Sequence, residues 1–231
     1  MQRSPRTLRP VVRQSTESLT INNLREYLLS GAARPGERIT EAALANELQV
    51  ARGTVRTGLH RLATEGLVVQ TPYSGWHVAE LDEVDIWELY TLRGCLEGLA
   101  SRLAAERMTE EKRLLLQDLW ERFVDACHKD DHTAASRLDF DLHFAIVEAA
   151  EHSRLLEHYR LVAQQVKLFI QSSNSFYADR LQELIPQHAP IIEAILRGDA
   201  KGAAHAAQHH NETVGPQFLE SVRHSEVRSD N

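Results

Sequence analysis

Cysteine is scarce in this chain of 231 residues: there are two, Cys95 and Cys127, and they form no C-x-x-C pair. Neither a disulfide framework nor a thiolate metal site is indicated, and both are expected to be packing residues of a reducing compartment. Long apolar runs are missing too. No window approaches the unbroken stretch that a bilayer span requires, and the N-terminus lacks the apolar core of a secretory signal. The first sixteen residues hold no acidic side chain, but Pro5 and Pro10 interrupt any amphipathic helix of the organellar-transit kind. The expected location is the cytoplasm. Repeats and low-complexity segments are absent. Lysine is absent from residues 1 to 80, where ten arginines face seven glutamates for a balance of +3. The whole chain carries −7, so residues 81 to 231 carry −10. An acidic protein with a basic first third suits contact with a polyanion at one end only.

The 42% hydrophobic content and the length allow two modest domains, each with its own core. Thr16 to Gly31 places Leu19, Ile21, Leu24, Leu28 and Leu29 at helical spacing, and Arg34-Pro35-Gly36 is a turn signal. Thr40 is a suitable N-cap for a short helix over Glu41 to Leu48, with Ala42, Ala45 and Leu48 near one face. A third helix is expected from about Ala51 to Glu65, ending at Gly66. LVVQ and GWHVAE then read as two strands around the turn Pro72-Tyr73-Ser74-Gly75. Past Leu81 the texture is helical through Val222, in candidate helices over about 82–107, 109–129, 132–151, 153–173, 178–197 and 200–224. The fold class is therefore mainly α: a winged helix-turn-helix followed by an all-α helical bundle. The expected layout is a flexible arginine-rich tail over 1–15, a DNA-binding domain over 16–80, an effector-binding and dimerisation domain over 81–224, and a polar tail over 225–231.

In the third helix, Val55, Leu59 and Leu62 turn inward and leave Gly53, Arg56 and His60 on the open side. A recognition helix enters the major groove with its N-terminal turns, where guanidinium groups pair with guanine edges. Arg52 and Arg56 stand where such contacts are made. The alternative is solvated arginines on an ordinary amphipathic helix; the preceding helix, the hairpin and the basic first third favour DNA. Arg3, Arg6, Arg9 and Arg13 could add phosphate contacts, although a plain disordered tail explains them as well.

The run PGERI-x-E-x-x-LA-x-E-L-x-V-x-R-x-x-VR-x-x-L-x-RL-x-x-EGLV, followed by a hairpin with a glycine, resembles the DNA-binding half of the GntR family of bacterial transcription regulators. The resemblance spans Leu24 to about Leu81. It implies that Arg52 and Arg56 are DNA-contacting arginines, Thr54 a neighbouring recognition-helix contact and Gly75 the tip of the wing. The family usually has Ser or Thr at Ala51, a bulkier polar residue at Gly53, and Glu-Ala at Thr57-Gly58. A lost hydroxyl cap costs about 1 kcal/mol, and an interior glycine about as much again. The departures imply a softer recognition helix and an operator sequence that cannot be assumed.

In the second domain, Asp139 and His143 are spaced i, i+4 on a face shared with Ile146, Val147 and Ala150. His188 aligns with Leu181, Leu184, Ile192 and Ile195, while Pro186 and Pro190 must kink or restart that helix on its outer side. His210 aligns with Ala203, Ala207, Val214 and Phe218. Each histidine alone reads as a hydrogen-bonded core residue. Four inward polar groups together suit a divalent first-row ion, Zn²⁺ first with Ni²⁺ or Mn²⁺ as alternatives, and an open position for water or ligand. His205 and His209 are also i, i+4 but point almost opposite to His210 and read as a solvated face. His128, His132, His152 and His158 are expected on the surface.

From Leu81 the sequence also resembles the all-helical FCD effector domain of the FadR branch, beginning at LDEVDIWELYTLRGCLE. The resemblance implies that Asp139, His143, His188 and His210 are the metal ligands, and His152 stands where the family often has Asn. Arg93 occupies the signature arginine; it either holds an anionic effector or pairs with Glu97 one turn on. The implied partners are a small carboxylate effector, a second copy of the chain and a palindromic double-stranded DNA operator. Alternatives left open are a metal-responsive regulator, a metal-free acyl-thioester pocket and a metalloenzyme; the last lacks an assignable general acid or base beside the ligands.

Overall fold

A computed structural model describes the backbone of residues 15–172 and 181–229, and the side chains of 15–170 and 181–220. The tail expected over 1–15, with its four arginines, lies outside the described residues apart from Ser15, as do the side chains of 225–231. The chain divides into two compact units, residues 1–78 and 79–231.

The first unit runs α1 (Thr16–Leu29), β1 (Arg38–Ile39), α2 (Glu41–Leu48), α3 (Arg52–Thr64), β2 (Val68–Thr71) and β3 (Gly75–Val78). Ser15 caps α1 by accepting from the Ser18 amide at 3.0 Å. Leu24 and Leu28 of α1 meet Val55, Leu59 and Leu62 of α3, and Trp76 and Val78 of the hairpin are buried with them. The sheet has three strands in the order β1-β3-β2, all antiparallel. The two-residue β1, with Arg38 opposite His77 and Ile39 opposite Trp76, was not expected, since two residues carry no alternation to read. The inner face of α2 is Leu44, Ala45 and Leu48, and Ala42 is exposed. That rotation also brings Glu41 inward.

The second unit is α4 (Glu83–Glu106), α5 (Glu110–His128), α6 (His132–Ala149), α7 (Ser153–Ser172), α8 (Leu181–Leu196) and α9 (Ala200–Ser229). Asp82 and Asp85 form a reciprocal capping box at α4, and Thr109 and Asp131 cap α5 and α6. The last helix runs on past residue 224. Pro186 and Pro190 lie inside α8 on its exposed side. Gly94 and Gly98 let α4 approach α9: a Cβ on Gly98 would stand 2.9 Å from Gln208 Cγ. Cys127 is buried as expected, but Cys95 is exposed, because α4 turns it away from the core that receives Arg93, Glu97 and Ala100.

Ala51 precedes α3 with extended backbone and no side-chain cap bond. A Cβ on Gly53 meets nothing within 4 Å, whereas one on Gly58 meets Leu24 Cδ1 at 3.1 Å. Gly53→Ala is therefore expected to stabilise the first unit by up to about 1 kcal/mol in urea unfolding, and Gly58→Val to destabilise it by about 1 to 3 kcal/mol through overpacking against α1.

Candidate functional site

On the first unit, Arg52 opens α3 and is exposed, Thr54 is half-buried, and Arg56 is exposed one turn further on. Arg52 makes no hydrogen bond or ion pair among the described residues. Arg56 does: its Nε and Nη2 donate to Glu41 Oε1 and Oε2 at 2.9 and 2.8 Å. The Arg56 hydrogen bond holds the Glu41 carboxyl below its usual range, although partial burial opposes this. In the hairpin, Gly75 has φ +95° and pairs with Thr71, so it closes the ladder and is not the tip. The tip belongs to Tyr73, which is fully exposed and itself takes a positive φ of 64°. The family resemblance placed the tip at Gly75; here the loop has two left-handed positions, and the outermost is a tyrosine.

On the second unit, the fold brings the ligand candidates together. Asp139 and His143 from α6, His188 from α8 and His210 from α9 are all buried. The three histidines each offer a ring nitrogen within 4.8 Å of the others'. Asp139 Oδ1 stands 2.8 Å from His188 Nε2 and 3.9 Å from His143 Nε2, so the carboxylate flanks two of the three rings. Burial alone would raise the Asp139 carboxyl, but attraction to His188 and its hydrogen bond hold it well below the usual carboxylate range. Burial, followed by the neighbouring His188 and His143, holds His210 far below the ordinary imidazole value, so His210 is neutral.

The hydrogen bonds behind these rings decide which nitrogen faces the centre. His188 Nδ1 lies 2.8 Å from the Leu184 carbonyl oxygen, which can only accept, so that nitrogen carries the proton. His143 Nδ1 lies 3.2 Å from Glu97 Oε1, a carboxylate, and carries its proton likewise. His188 Nε2 lies 3.1 Å from His143 Nε2 and 2.8 Å from Asp139 Oδ1, so two ring nitrogens and a carboxylate oxygen crowd one point. Three such atoms at this range repel unless a proton or a metal cation lies among them. Donor atoms bound to one ion at about 2.1 Å stand roughly 3 Å apart, so the spacing fits a shared first-row ion.

Glu97 is the residue that reading the sequence undervalued. Its Oε1 accepts from Arg93 Nε at 2.6 Å and Tyr159 Oη at 2.8 Å as well as facing His143, and its Oε2 accepts from Asn211 Nδ2 at 2.7 Å. Burial would raise its carboxyl, but Arg93 and His143 hold it well below the usual range. The Arg93–Glu97 pairing raised as the alternative is thus present. Its i, i+4 spacing looks like an ordinary surface pair, and the one available signal was that Arg93 and Glu97 fall on the face of Ile86, Tyr90 and Ala100. Arg93 nevertheless also lines a cavity of about 10 Å³ with Tyr90, Asp139, Gln187, His188 and His210. Gln187 Oε1 and His210 Nδ1 are buried there without hydrogen-bond partners among the described residues, and Tyr90 Oη, beside the Arg93 guanidinium, finds no acceptor among them. Burial pushes the Tyr90 hydroxyl up to about 12, so it stays a donor.

The surface expectations are met in the main. His128, His132, His158, His205 and His209 are exposed, and half-buried His152 instead accepts from the Leu155 amide at the start of α7. Among the described residues, no helix is long and apolar enough to cross a membrane.

A winged helix with an arginine-bearing helix, joined to a helical unit with a buried polar centre, is the architecture of a DNA-binding transcription regulator. The family model for bacterial regulatory proteins of the gntR family matches residues 9–78, and the FCD domain model matches 88–213. The chain belongs to the GntR family of transcription regulators, in the branch that carries an FCD domain. It is 33% identical over 136 residues to the Nta operon transcriptional regulator of Aminobacter aminovorans, covering 58% of this chain and 63% of that one. It is 27% identical over 202 residues to a probable D-xylose utilization operon transcriptional repressor of Paenarthrobacter nicotinovorans, covering 84% and 87%. Among solved structures, Escherichia coli McbR/YncC shares the fold with a TM-score of 0.75 at 22% identity, covering 91% of this chain and 100% of that chain. A putative GntR regulator from Rhodococcus sp. RHA1 does so at 0.76 and 22%, covering 90% and 99%. These are families of regulators and not of enzymes.

Removing the Glu97 charge strands buried Arg93. Glu97→Gln is expected to destabilise the helical unit by roughly 3 to 5 kcal/mol, and Tyr159→Phe by about 1 kcal/mol, both measured as shifts in urea midpoint.

Proposed function

We propose that the protein binds double-stranded DNA through Arg52, Thr54, Arg56 and the wing that Gly75 closes, and that a small organic acid acting at a metal site in the helical unit sets its operator affinity. The observation that carries the metal half is the confrontation of His143 and His188 Nε2 at 3.1 Å, each ring oriented by an acceptor behind it. Asp139, His143, His188 and His210 would hold the ion, Zn²⁺ first, with Ni²⁺ or Mn²⁺ as alternatives. When bound, the ion supplies a Lewis-acid position at which a carboxylate oxygen can be held.

The chain's own residues would do the rest. The Tyr90 hydroxyl is a buried donor without an acceptor among the described residues, and Arg93 supplies positive charge on the same cavity wall. A cavity of about 10 Å³ admits about one water, so an organic acid enters only if the helices around it move apart. That displacement is the means by which binding would reach the DNA-binding units of a homodimer on a palindromic operator. The same small cavity favours a second reading, in which the ion alone sets DNA affinity.

Elemental analysis of purified protein is expected to give about one transition-metal ion per chain, and His188→Ala to reduce it to near zero. Zn²⁺ at a hundredfold its Kd should add about 2.7 kcal/mol to stability, removed by a chelator. A metal content that stays at zero after incubation with Zn²⁺ and Ni²⁺ removes the metal site. With selected operator DNA, Arg52→Ala is expected to weaken binding by about 1 to 3 kcal/mol, measured by fluorescence anisotropy. Titrating metal against operator binding with no carboxylate present separates the two readings.

A further inference from the structure

The Glu41–Arg56 pair is hard to explain as a device for stability. Arg56 is 60% exposed and Glu41 21%, and ion pairs of that exposure contribute little to folding. Yet the carboxylate is anchored on its other side. Glu41 Oε1 also accepts from Trp76 Nε1 at 3.2 Å, and Trp76 is 3% exposed in the core of the hairpin. The His60 ring meets the Trp76 indole edge-on at 4.9 Å, one turn beyond Arg56 on the same helix face. Glu41 is therefore fixed between the wing and the recognition helix, and it fixes Arg56 in turn. Arg52, one turn earlier, has no such partner among the described residues.

We infer that Glu41 is a positioning residue for base specificity: it grips the side-on edge of Arg56, through Nε and Nη2, and so presents the end-on edge to a guanine. The inference rests on the reading of α3 as the DNA-contacting helix. A guanidinium has five donors in a rigid plane. The two that Glu41 takes leave Nη1 and the second hydrogen of Nη2 side by side, the pair that matches guanine O6 and N7. A carboxylate at that distance also offsets the arginine's charge, which weakens attraction to any phosphate while leaving a directional contact to a base intact. The two arginines thus divide the work: Arg52 is free to follow the backbone, and Arg56 is preset to read. Because Trp76 anchors Glu41, the wing's packing contributes to what the helix reads.

The test is selection of binding sites from a random duplex library with the full-length protein, the wild type alongside Arg56→Ala, Glu41→Gln and Glu41→Ala. Circular dichroism melts verify that each variant is folded, and Trp76→Phe is carried as a second route to loosening Glu41. The expected result is a wild-type motif with a guanine whose preference vanishes in Arg56→Ala. In Glu41→Gln the preference at that one position should fall about tenfold, with the rest of the motif kept. Binding to unselected DNA should stay equal or become tighter and more salt-dependent, since a negative charge has gone. A smaller loss, about two- to threefold, is expected in Trp76→Phe. If Glu41→Gln and Glu41→Ala both keep full discrimination at the position that Arg56→Ala loses, the positioning role is overturned while the reading of α3 stands. If Arg56→Ala leaves the motif unchanged, or the wild type selects none, both fall.

Discussion

The helical unit is organised around the Glu97 carboxylate. One buried anion takes hydrogen bonds or close approach from its own helix α4 through Arg93, from α7 through Tyr159, from α9 through Asn211 and from α6 through His143. Each partner alone would be an expensive polar group in an apolar interior; together they satisfy one another and fix the relative rotation of four helices. Glycines at 94 and 98 bring α9 close enough to α4 for Asn211 to reach. His210 is the residue before Asn211 and follows it inward. The proposed ligand set is thus held by a network deeper than itself.

Outside that network the centre is left incomplete. His143 and His188 each hold the structure behind them through Nδ1 and turn Nε2 forward, and the adjoining cavity is walled by polar atoms without hydrogen-bond partners among the described residues. Apolar packing ordinarily removes such frustration, and its survival in a well-packed core is what the proposed metal site would account for.

Much of this was legible in the sequence, and what was missed has physical causes. Helical spacing placed Asp139, His143, His188 and His210 on inward faces because aliphatic neighbours at i±3 and i±4 define those faces, and the structure buries all four. Their convergence on one point was inferred from that shared inward direction and from the family resemblance that agrees with it, since periodicity gives a direction but no tertiary position. The Arg93–Glu97 pair was visible as an alternative, but its partners Tyr159, Asn211 and His143 were not, because i, i+4 Arg and Glu read alike on a surface and in a core. Strand β1 is too short for a pattern. Helix α2 was rotated by one residue, since three of its small side chains allow more than one face; Ala42 is outside and Glu41 is turned toward Arg56 and Trp76. Cys95 was assigned to packing on residue type alone, and α4 exposes it.

The burial of Trp76 gives the molecule an optical channel of its own. The chain has three tryptophans, and Trp76 alone belongs to the winged unit, with its indole nitrogen bound to a carboxylate and its ring against an imidazole. Trp87 and Trp120 belong to the helical unit, where Trp87 is largely open to solvent. A chain in which Trp87 and Trp120 are phenylalanine would emit from one indole only, placed where the recognition helix and the wing meet. Its colour and intensity would then follow the state of the reading head in real time, with no label attached.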